Sequence, residues 1–422
     1  MRWATVAAIG FCFGLMGVSG ASADQRSWIE MTATGAQARV ETTDPKCPSL
    51  DVDGKFAPMQ PRAGPDGPFP LLVCQLDIPA GAKRASLGLH NLPLPHGPPQ
   101  RILIFGDTGC RLKGQAIQDC NDPKAWPFPT VVKRALERKP DLVIHVGDYY
   151  YRETPCPEGH AGCAGSPYGD AWPTWKAEFF DPARPLLDAA PWVFVRGNHE
   201  SCARGGKGWF RQLDAGSRPL TCPAMSAPFR VALGDLNLYV LDSADADDRG
   251  TPADAVAGVS GQFDAIKGQL AHAPGWVITH RPIWGLTPIA RVGPIGPLEL
   301  SLNATEQAAV REKDLSNVQM IVSGHIHHFA VYDFLGRRPS QLVAGTGGDV
   351  GEDADTPTIR QNEVQIDNLT AERITFERFG YLLLDRAGDD WVGAFWDLKD
   401  RVVAACRLHQ RRLNCVPAGV VR

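Results

Sequence analysis

The sequence predicts a layered α/β fold, and two observations support this. From residue 101 onward, short apolar runs rich in β-branched residues alternate with longer stretches of helical character. Continuous apolar runs of this kind are typical of buried strands, and their alternation with helices is typical of layered α/β folds. A polar cluster follows most of these runs, and the carboxyl ends of strands are where open α/β sheets bind ligands.

The elements can be placed in order along the chain. Residues 24–97 are rich in proline and glycine, which favours a small β-rich N-terminal domain or an elaborated strap ahead of a catalytic domain at 98–422. The apolar runs predict strands at Arg101–Phe105, Leu142–Val146, Trp192–Val195, Leu238–Leu241, Trp276–Ile278, Met320–Val322 and Leu342–Ala344. Helices are expected at 128–138, 171–189, 261–273 and 304–315. A polar loop is expected at 349–375, followed by an antiparallel meander at Tyr381–Asp385, Trp391–Trp396 and Arg401–Arg407.

The composition is that of a globular protein without a strongly basic character. The 422 residues can bury a large core, and one large domain with a smaller appendage fits this length as well as two equal domains. Hydrophobic residues make up 44% and charged residues 21%, which is ordinary for globular domains. The formal net charge of -4 argues against a nucleic-acid scaffold or a membrane-surface binder, since both need basic patches.

The N-terminus has the three parts of a secretory signal peptide. Arg2 provides the positive start, Ala4–Val18 is an apolar stretch too short to span a bilayer, and Ala21–Ala23 is a small-residue cleavage site. We therefore expect a periplasmic or secreted protein whose signal is residues 1–23 and whose mature chain begins near Asp24. An uncleaved membrane anchor is the alternative. No later stretch is apolar enough for a span, so we expect none in the mature chain.

Cysteine usage agrees with export. Of the 11 cysteines, Cys12 lies in the signal, and the even number that remains suggests disulfides in an exported chain. No C-x-x-C pair occurs, which disfavours a cysteine-based metal site. Each neighbouring pair brackets a segment that resembles a loop or hairpin. We therefore expect the pairs Cys47–Cys74, Cys110–Cys120, Cys156–Cys163, Cys202–Cys222 and Cys406–Cys415.

Five polar clusters follow predicted strands and carry the chemistry. Their glycines stand where a strand meets a tight turn, so the backbone can bend and aim the next side chain at a common point. Carboxylate and phenolate oxygens suit trivalent iron, whereas imidazole, amide and carboxylate suit a divalent ion. Two metals about 3.5–4 Å apart can clamp both oxygens of an in-line phosphoryl displacement. The clusters are Gly106–Gly109 (GDTG), Gly147–Tyr151 (GDYYY), Gly197–Glu200 (GNHE), Val277–His280 (VITH) and Gly324–His327 (GHIH).

In this order the clusters resemble the five motifs of the purple acid phosphatases, within the calcineurin-like metallophosphoesterase superfamily. The motifs are G-D-x-G, G-D-x-x-Y, G-N-H-[DE], V-x-x-H and G-H-x-H, and the match covers residues 106–327. One motif alone is weak, but five in order after predicted strands are specific. The resemblance implies a four-layer αββα sandwich of two mixed sheets with a small N-terminal extension. It also implies hydrolysis of phosphate monoesters by attack of a metal-bound hydroxide on phosphorus.

The resemblance further implies two metal ions, Fe(III) and a divalent ion of zinc, iron or manganese. His199 would face the substrate phosphate as a catalytic residue, together with the bridging carboxylate. Gly109 and Tyr151 favour this subfamily, because most other members of the superfamily have D-x-H in the first motif and lack the tyrosine. The implied ligands are Asp107, Tyr151 and His327 for the ferric ion, Asn198, His280 and His325 for the divalent ion, and Asp148 as the bridge.

One departure from the family pattern concerns the acid that protonates the leaving group. Many family members carry another active-site histidine shortly after V-x-x-H, and here no histidine follows His280 before His325. Arg281 or Arg291 is the alternative as a phosphate clamp, since guanidinium groups bind phosphate oxygens in pairs.

Other polar residues near the motifs have competing interpretations. Glu200 is either a carboxylate that orients a metal ligand or a surface residue. Thr108 has no sequence support as a nucleophile. Gly345–Asp349 lacks the lysine of a P-loop and is interpreted as a tight turn near the site. The histidines interpreted as structural are His145, His160 and His328.

Two other functions stay open. Phosphodiester or nucleotide pyrophosphate hydrolysis on the same metal core depends on the pocket walls, which we expect at about 152–175 and 202–235. A non-catalytic protein that captures phosphate or metal is disfavoured, because all seven ligand positions are filled. We expect the partner to be a small phosphorylated molecule.

Overall fold

The computed structural model describes residues 25–216, 221–291, 297–349 and 359–419. The expected signal peptide, residues 1–23, lies outside these ranges. The described residues form one sheet of eleven strands and one of eight, together with three small sheets and several helices. This confirms the α/β class that the sequence predicts.

The strands are numbered in chain order within the described residues. The N-terminal strands are β1 Arg26–Thr32, β2 Gly35–Thr42, β3 Ser49–Val52, β4 Lys55–Pro58, β5 Gln60–Ala63, β6 Leu72–Asp77, β7 Ala85–Leu87 and β8 His90–Asn91. The central strands are β9 Arg101–Phe105, β10 Leu112–Lys113, β11 Ala116–Ile117, β12 Leu142–His145, β13 Trp192–Phe194, β14 Phe229–Leu233, β15 Leu236–Val240, β16 Gly275–Ile278, β17 Gly285–Arg291, β18 Pro297–Leu302, β19 Val318–Ser323, β20 Phe329–Asp333 and β21 Ser340–Ala344. The C-terminal strands are β22 Arg360–Ile366, β23 Leu369–Phe376, β24 Gly380–Ala387, β25 Asp390–Asp397, β26 Val402–His409 and β27 Arg412–Pro417.

The helices lie between the central strands. The stretch from Trp172 to Leu187 is continuous and contains a π-helical segment, Lys176–Phe180. Asn303 caps the last helix, because its side chain accepts a hydrogen bond from the N–H of Glu306. No helix in the described ranges is long and apolar enough to cross a membrane. The helices are α1 Phe128–Glu137, α2 Trp172–Trp175, α3 Asp181–Leu187, α4 Gly206–Gln212, α5 Ala253–His272 and α6 Ala304–Val310.

Both large sheets are mixed, and each has a parallel centre. The order in the larger sheet is β27-β26-β25-β24-β9-β12-β13-β1-β2-β6-β5, with parallel pairing from β9 through β12 and β13 to β1. The smaller sheet has the order β14-β15-β16-β19-β21-β20-β23-β22, with parallel pairing from β15 to β21. Because parallel neighbours end at the same edge, the clusters after β9, β12 and β13 share one edge, and those after β16 and β19 share another.

The two sheets pack face to face over an apolar core. Alternate side chains of a strand point to opposite faces, and Ile104 of β9 and Trp276 of β16 both belong to the cluster between the sheets. On the outer face of the larger sheet, Phe105 packs with Phe128 of α1. On the outer face of the smaller sheet, α5 contributes Phe263 to a third cluster. Each sheet is therefore covered by its partner on one side and by helices on the other.

The proline- and glycine-rich N-terminal segment continues the larger sheet. β1 pairs in parallel with β13 and is followed outward by β2, β6 and β5, while β3, β4, β7 and β8 form a sheet of their own. Two buried arginines tie this segment to the end of α4. Arg39 donates to the carbonyl of Gln212 at 3.0 Å, and Arg62 donates to that of Phe210 at 2.8 Å.

Three expectations about elements are wrong in part. The segment expected as a polar loop, 349–375, contains β22 and most of β23. β22 is the edge strand of its sheet and is largely exposed, so its sequence lacks the apolar residues that mark a buried strand. α5 begins at Ala253, before the expected 261. Val259 is the one fully buried residue in its first two turns, so this part of the helix lacks an apolar pattern in the sequence. α6 ends at Val310, before the expected 315.

All five expected disulfides form, and three of them close loops that follow metal-motif strands. Cys110–Cys120 closes the loop after β9, Cys156–Cys163 the loop after β12, and Cys202–Cys222 the loop after β13. The others are Cys47–Cys74 and Cys406–Cys415. Five disulfides are compatible with an exported protein.

The disulfides give a direct prediction for the mature protein. Thiol titration of denatured, unreduced protein should find close to no free thiol, because the mature cysteines are paired. The same titration after reduction provides the control and should find all of them. Reaction of most of the cysteines without a reductant would reject the pairing.

Candidate metal centre

The carboxyl ends of β9, β12, β13, β16 and β19 bring the five sequence clusters to one place between the sheets. Side chains that are more than 150 residues apart in sequence lie within hydrogen-bonding distance, as for Tyr151 and His327. The residues that meet there are Asp107, Asp148, Tyr151, Asn198, His199, His280, His325 and His327.

One half of the cluster is rich in oxygen donors and centres on the Tyr151 hydroxyl. That oxygen lies 3.2 Å from Oδ1 of Asp107, 2.9 Å from Oδ2 of Asp148 and 3.1 Å from Nε2 of His327. The Tyr151 ring and both carboxylates are buried. Two carboxylates, a phenol and an imidazole therefore converge on a single point.

The other half is rich in nitrogen donors and centres on His280. Its Nε2 lies 3.1 Å from Oδ1 of Asn198 and 3.2 Å from Oδ2 of Asp148. Donor atoms of Asp148, His280 and His325 all lie within 4.8 Å of one another. The same oxygen of Asp148 thus contacts Tyr151 in the first half and His280 in the second.

Left-handed backbone conformations aim several of these side chains. Asp107 has φ of +56°, Asp148 of +59° and His325 of +69°. Non-glycine residues avoid this region because their Cβ crowds the backbone, at a cost of about 1–2 kcal/mol per residue. Each of the three comes just after a strand end, where the unusual φ turns the side chain toward the cluster instead of along the strand.

The motif glycines leave room for the donors. A Cβ on Gly147, whose φ is +100°, would lie 2.4 Å from Nδ1 of His280. A Cβ on Gly197 would lie 2.1 Å from Oδ1 of Asp148, and one on Gly109 would lie 2.5 Å from the Tyr151 ring. The glycines are therefore required for close approach of neighbouring chains as well as for the turns.

Two buried carboxylates hold the motif loops together by their backbone N–H groups. Glu200 accepts hydrogen bonds from the N–H groups of Gly197, Asp148, Tyr149 and Tyr150 at 2.8–3.1 Å. The surface interpretation of Glu200 is wrong, since the residue is fully buried. It orients the proposed ligand Asp148, but through the backbone N–H and not through an imidazole or amide side chain.

Glu178 does the same for the first two motif loops. One of its oxygens accepts from the N–H of Cys110 at 2.7 Å and from that of Tyr151 at 3.0 Å. Sequence reasoning missed Glu178, because it lies in the π-helical segment, far in sequence from both loops.

The electrostatics of the cluster fit cations. Burial, and then the neighbouring Asp148, raise the pKa of Asp107 to about 7. Burial and the same two carboxylates hold the pKa of Tyr151 well above its ordinary value. Buried oxygen donors that repel one another in this way are stabilised when positive charge is placed between them. The donor set, with one oxygen-rich and one nitrogen-rich half, fits two metal ions.

Each of the three histidines expected as metal ligands has one ring nitrogen in contact with an oxygen atom of a neighbouring residue. His280 Nδ1 lies 2.7 Å from the carbonyl oxygen of Val146, His325 Nε2 lies 2.9 Å from Asp248, and His327 Nδ1 lies 3.2 Å from Asp349. No spacing in the sequence points to Asp248. Asp349 was noted only as part of a turn near the site, which the structure places directly after β21.

His199 stands at the edge of the oxygen-rich half. Its ring lies over that of Tyr151, with 3.7 Å between centroids. Nδ1 lies 2.9 Å from the carbonyl oxygen of Tyr150, and Nε2 lies 3.9 Å from Asp148. Arg204 lies 2.8 Å from Nε2 and is paired with Glu153. Sequence reasoning missed both of these residues.

The other histidines near the motifs lie outside the cluster. His145 is buried and bonded to the Thr108 hydroxyl at 2.9 Å, so neither side chain reaches the cluster surface. His160 contacts Asp119 at 2.8 Å near the surface. His328 is buried, and its Nε2 has no hydrogen-bond partner among the described residues.

Three arginines are close to the cluster histidines or their carboxylates, and each remains partly exposed. Arg111, Arg204 and Arg281 have side chains that are 27%, 18% and 12% exposed. Each is paired with a carboxylate, and a guanidinium has further donors in other directions. Arg281 was expected as a phosphate clamp. Arg291, the alternative clamp, has its side chain outside the described part of the structure.

Comparison with known proteins identifies the family. The family model for calcineurin-like phosphoesterases matches residues 100–329, which is more than half of the chain. The protein belongs to the calcineurin-like phosphoesterase family. Members of this family bind two metal ions, and the chain is a phosphoesterase by this membership. No curated protein sequence matches the chain significantly.

Solved structures share the fold of this phosphoesterase. The purple acid phosphatase PPD1 from seeds of yellow lupin (Lupinus luteus) has a TM-score of 0.53 at 14% identity, covering 93% of this chain and 74% of that one. The structure of PhoD has a TM-score of 0.56 at 11% identity, covering 94% of this chain and 92% of that one. At these identities the likeness concerns the fold alone.

Gly147 provides a test of the cluster geometry. In Gly147→Ala the new methyl group would lie against His280, so the ring must move and the protein should bind less metal. Gly81→Ala is the matched control, because Gly81 has φ of +82° but no atom within 4 Å of its Cβ position. Both variants carry backbone strain of about 1–2 kcal/mol. Elemental analysis should find metal loss in Gly147→Ala only, and equal metal content in the two variants would contradict the geometry.

Proposed function

We propose that this calcineurin-like phosphoesterase hydrolyses phosphate monoesters with two metal ions held in the candidate centre. The observation that carries the proposal is the position of Asp148, one oxygen of which contacts both Tyr151 and His280. A carboxylate shared between an oxygen-rich and a nitrogen-rich set of donors is suited to bridging two cations. The proposed ligands are Asp107, Tyr151 and His327 for one ion, Asn198, His280 and His325 for the other, and Asp148 for both.

The donor chemistry favours Fe(III) in the oxygen-rich half and a divalent ion of zinc, iron or manganese in the other. Tyr151 supports this assignment, because its surroundings favour the protonated phenol. Binding as phenolate therefore requires a strongly Lewis-acidic ion, and ferric iron meets this requirement. When bound, the two ions would supply the Lewis acidity that activates water and offsets charge on the phosphoryl oxygens.

His199 and the arginines would bind and orient the phosphoryl group. The contact of His199 Nδ1 with the Tyr150 carbonyl orients the ring, so that Nε2, which Arg204 approaches at 2.8 Å, would face the phosphoryl group or the leaving oxygen together with that guanidinium. Arg111, Arg204 and Arg281 bring three positive charges close to the cluster. Each charge is offset by a paired carboxylate, but the remaining N–H donors suit the three terminal oxygens of a phosphate monoester better than the two of a diester.

Hydrolysis of matched substrates tests the proposal. The protein should cleave an aryl phosphate monoester with a higher kcat/KM than the corresponding diester. Asp148→Asn should lower kcat/KM by at least about 100-fold, the size of effect that follows loss of one electrostatic catalytic group. Asp397→Asn is the matched control. Asp397 is a buried carboxylate at the end of β25, is paired with Arg378, and is not one of the cluster residues.

The alternatives predict different outcomes of the same assay. A preference for the diester would support phosphodiesterase or pyrophosphatase activity on this metal core. Protein that holds two metal ions and cleaves neither substrate would instead be a phosphate- or metal-binding relative.

Tyr151 tests the iron assignment. Oxidised wild-type protein should show a broad visible band from charge transfer between tyrosinate and ferric iron, and Tyr151→Phe should abolish it. The fold should survive, because the buried ring is retained and only one oxygen is lost. Tyr149→Phe and Tyr150→Phe are the controls and should keep the band, since only Tyr151 contributes a hydroxyl to the cluster. A colourless ferric protein, or a band that persists in Tyr151→Phe, would refute the assignment.

A further inference from the structure

Asp248 is held in a fixed position beside His325. Its carboxylate lies 2.9 Å from Nε2 of His325 and accepts hydrogen bonds from Arg281 at 2.6 Å and from the Asn303 side chain at 2.9 Å. Asn303 is the cap of α6, so the carboxylate is anchored to a helix end as well as to an arginine. The same guanidinium nitrogen of Arg281 also lies 3.0 Å from Nε2 of His325, which is farther than its 2.6 Å contact with Asp248.

Asp349 occupies the corresponding place beside His327. Its carboxylate lies 3.2 Å from Nδ1 of His327 and is bound by Arg111, whose Nε is 3.1 Å from both oxygens. The Asp349 side chain is fully buried, and its backbone N–H donates to the carbonyl of Asp107 at 2.8 Å. The carboxylate is therefore fixed by an arginine on one side and by the first motif on the other.

Each histidine of the last motif thus has one ring nitrogen beside a carboxylate that is paired with an arginine. The two carboxylates, Asp248 and Asp349, come from different parts of the chain. Asp248 follows β15 and Asp349 follows β21, and neither contributes a ligand atom in the proposed centre. We propose that Asp248 and Asp349 are positioning residues, each for a different metal ion, which fix the ring orientation and the ring proton of His325 and His327. The inference rests on the proposed function for the ions themselves, but the placement of the ring protons does not depend on them.

The physical reason is the acceptor-only character of a carboxylate. A carboxylate beside one ring nitrogen holds the proton on that nitrogen, which leaves the lone pair of the other nitrogen for a metal ion. The arginine pairs with the carboxylate and prevents it from turning away. This arrangement fixes the orientation of the ring and removes rotational freedom that would oppose metal binding.

The two histidines then use opposite nitrogens. In His327 the carboxylate holds Nδ1, and Nε2 lies in the cluster, 3.1 Å from the Tyr151 hydroxyl. In His325 the carboxylate holds Nε2, which leaves Nδ1 for the ion. The motif G-H-x-H can therefore serve two ions from one loop, because its two rings present different atoms.

The positioning roles are separable by measurement of metal affinity. In full-length protein with iron in the oxygen-rich half, Asp248→Asn should weaken Zn²⁺ binding by about 10- to 100-fold, the usual effect of losing such a partner. It should leave the visible band in place. Asp349→Asn should weaken or shift the band instead and leave Zn²⁺ binding nearly unchanged. Asp397→Asn is the control for loss of a buried carboxylate–arginine pair and should change neither.

The arginines and the ring protons provide independent measurements. Arg281→Lys and Arg111→Lys keep the charge but lose the paired geometry, so each should reproduce the effect of its aspartate variant more weakly. Nitrogen NMR of histidine-labelled wild-type protein, without metal and with Zn²⁺, should find the ring proton of His325 on Nε2 and that of His327 on Nδ1. The opposite placement, or unchanged affinities in both aspartate variants, would overturn the inference.

These outcomes are distinct from failure of the proposed function. Wild-type protein that binds two ions and hydrolyses monoesters, while both aspartate variants retain wild-type affinities, would refute the positioning roles alone. Wild-type protein that binds no metal would refute the proposed function. The NMR measurement on metal-free protein would then still decide where the ring protons lie.

Discussion

The burial of the Asp148 carboxylate at the junction of the two sheets is the constraint on which the site depends. A carboxylate removed from water is stable as an anion only where donors or cations replace its hydration. Asp148 obtains this from His280, from the N–H of His199 and from the Tyr151 hydroxyl, although burial opposes its charge, and these partners hold its pKa well below the ordinary value. Three separate loops must therefore be in place before this one side chain is satisfied.

The backbone N–H groups of the loops around Asp148 are also buried and also need hydrogen-bond partners. In a loop that follows a strand, the N–H groups are no longer paired with a neighbouring strand. Where such a loop is buried, these N–H groups need other acceptors. Glu200 and Glu178 supply them from a short helical turn and a π-helical segment. Burial raises the pKa of Glu178 to about 7, against the effect of its hydrogen-bond donors. Rigid strands thus set the direction of the first three motif loops, and these two buried carboxylates hold their backbone in place.

The sequence predicted the parts of this structure that are encoded locally. Buried strands such as β9 have continuous apolar runs, glycines such as Gly147 mark turns, and cysteines close in sequence formed the expected pairs. Clusters after those strands were expected to meet, and they do. Edge strand β22 was missed because exposure on both faces removes the apolar pattern.

The residues around the cluster could not be predicted for a different reason. Glu178, Asp248 and Arg111 reach the site from loops and a helix whose distance from the motifs in sequence is arbitrary. When two residues meet only through tertiary packing, their separation in the sequence follows no pattern, so a single sequence does not reveal the contact. The motif residues had such spacing because a strand and its following turn fix them relative to one another.

The larger sheet joins the first strands of the described chain to the last ones. β1, the first described strand, lies between β13 and β2, with Glu30 opposite Trp192. β24 pairs with β9, with Leu383 opposite Leu103. Pairing between such distant segments requires closure of long loops before it yields stability, which slows folding. The sheet that carries the first three motifs therefore cannot be completed until the chain has been synthesised through β27. Loss of either end would expose a central strand as a new edge, open to pairing with another chain.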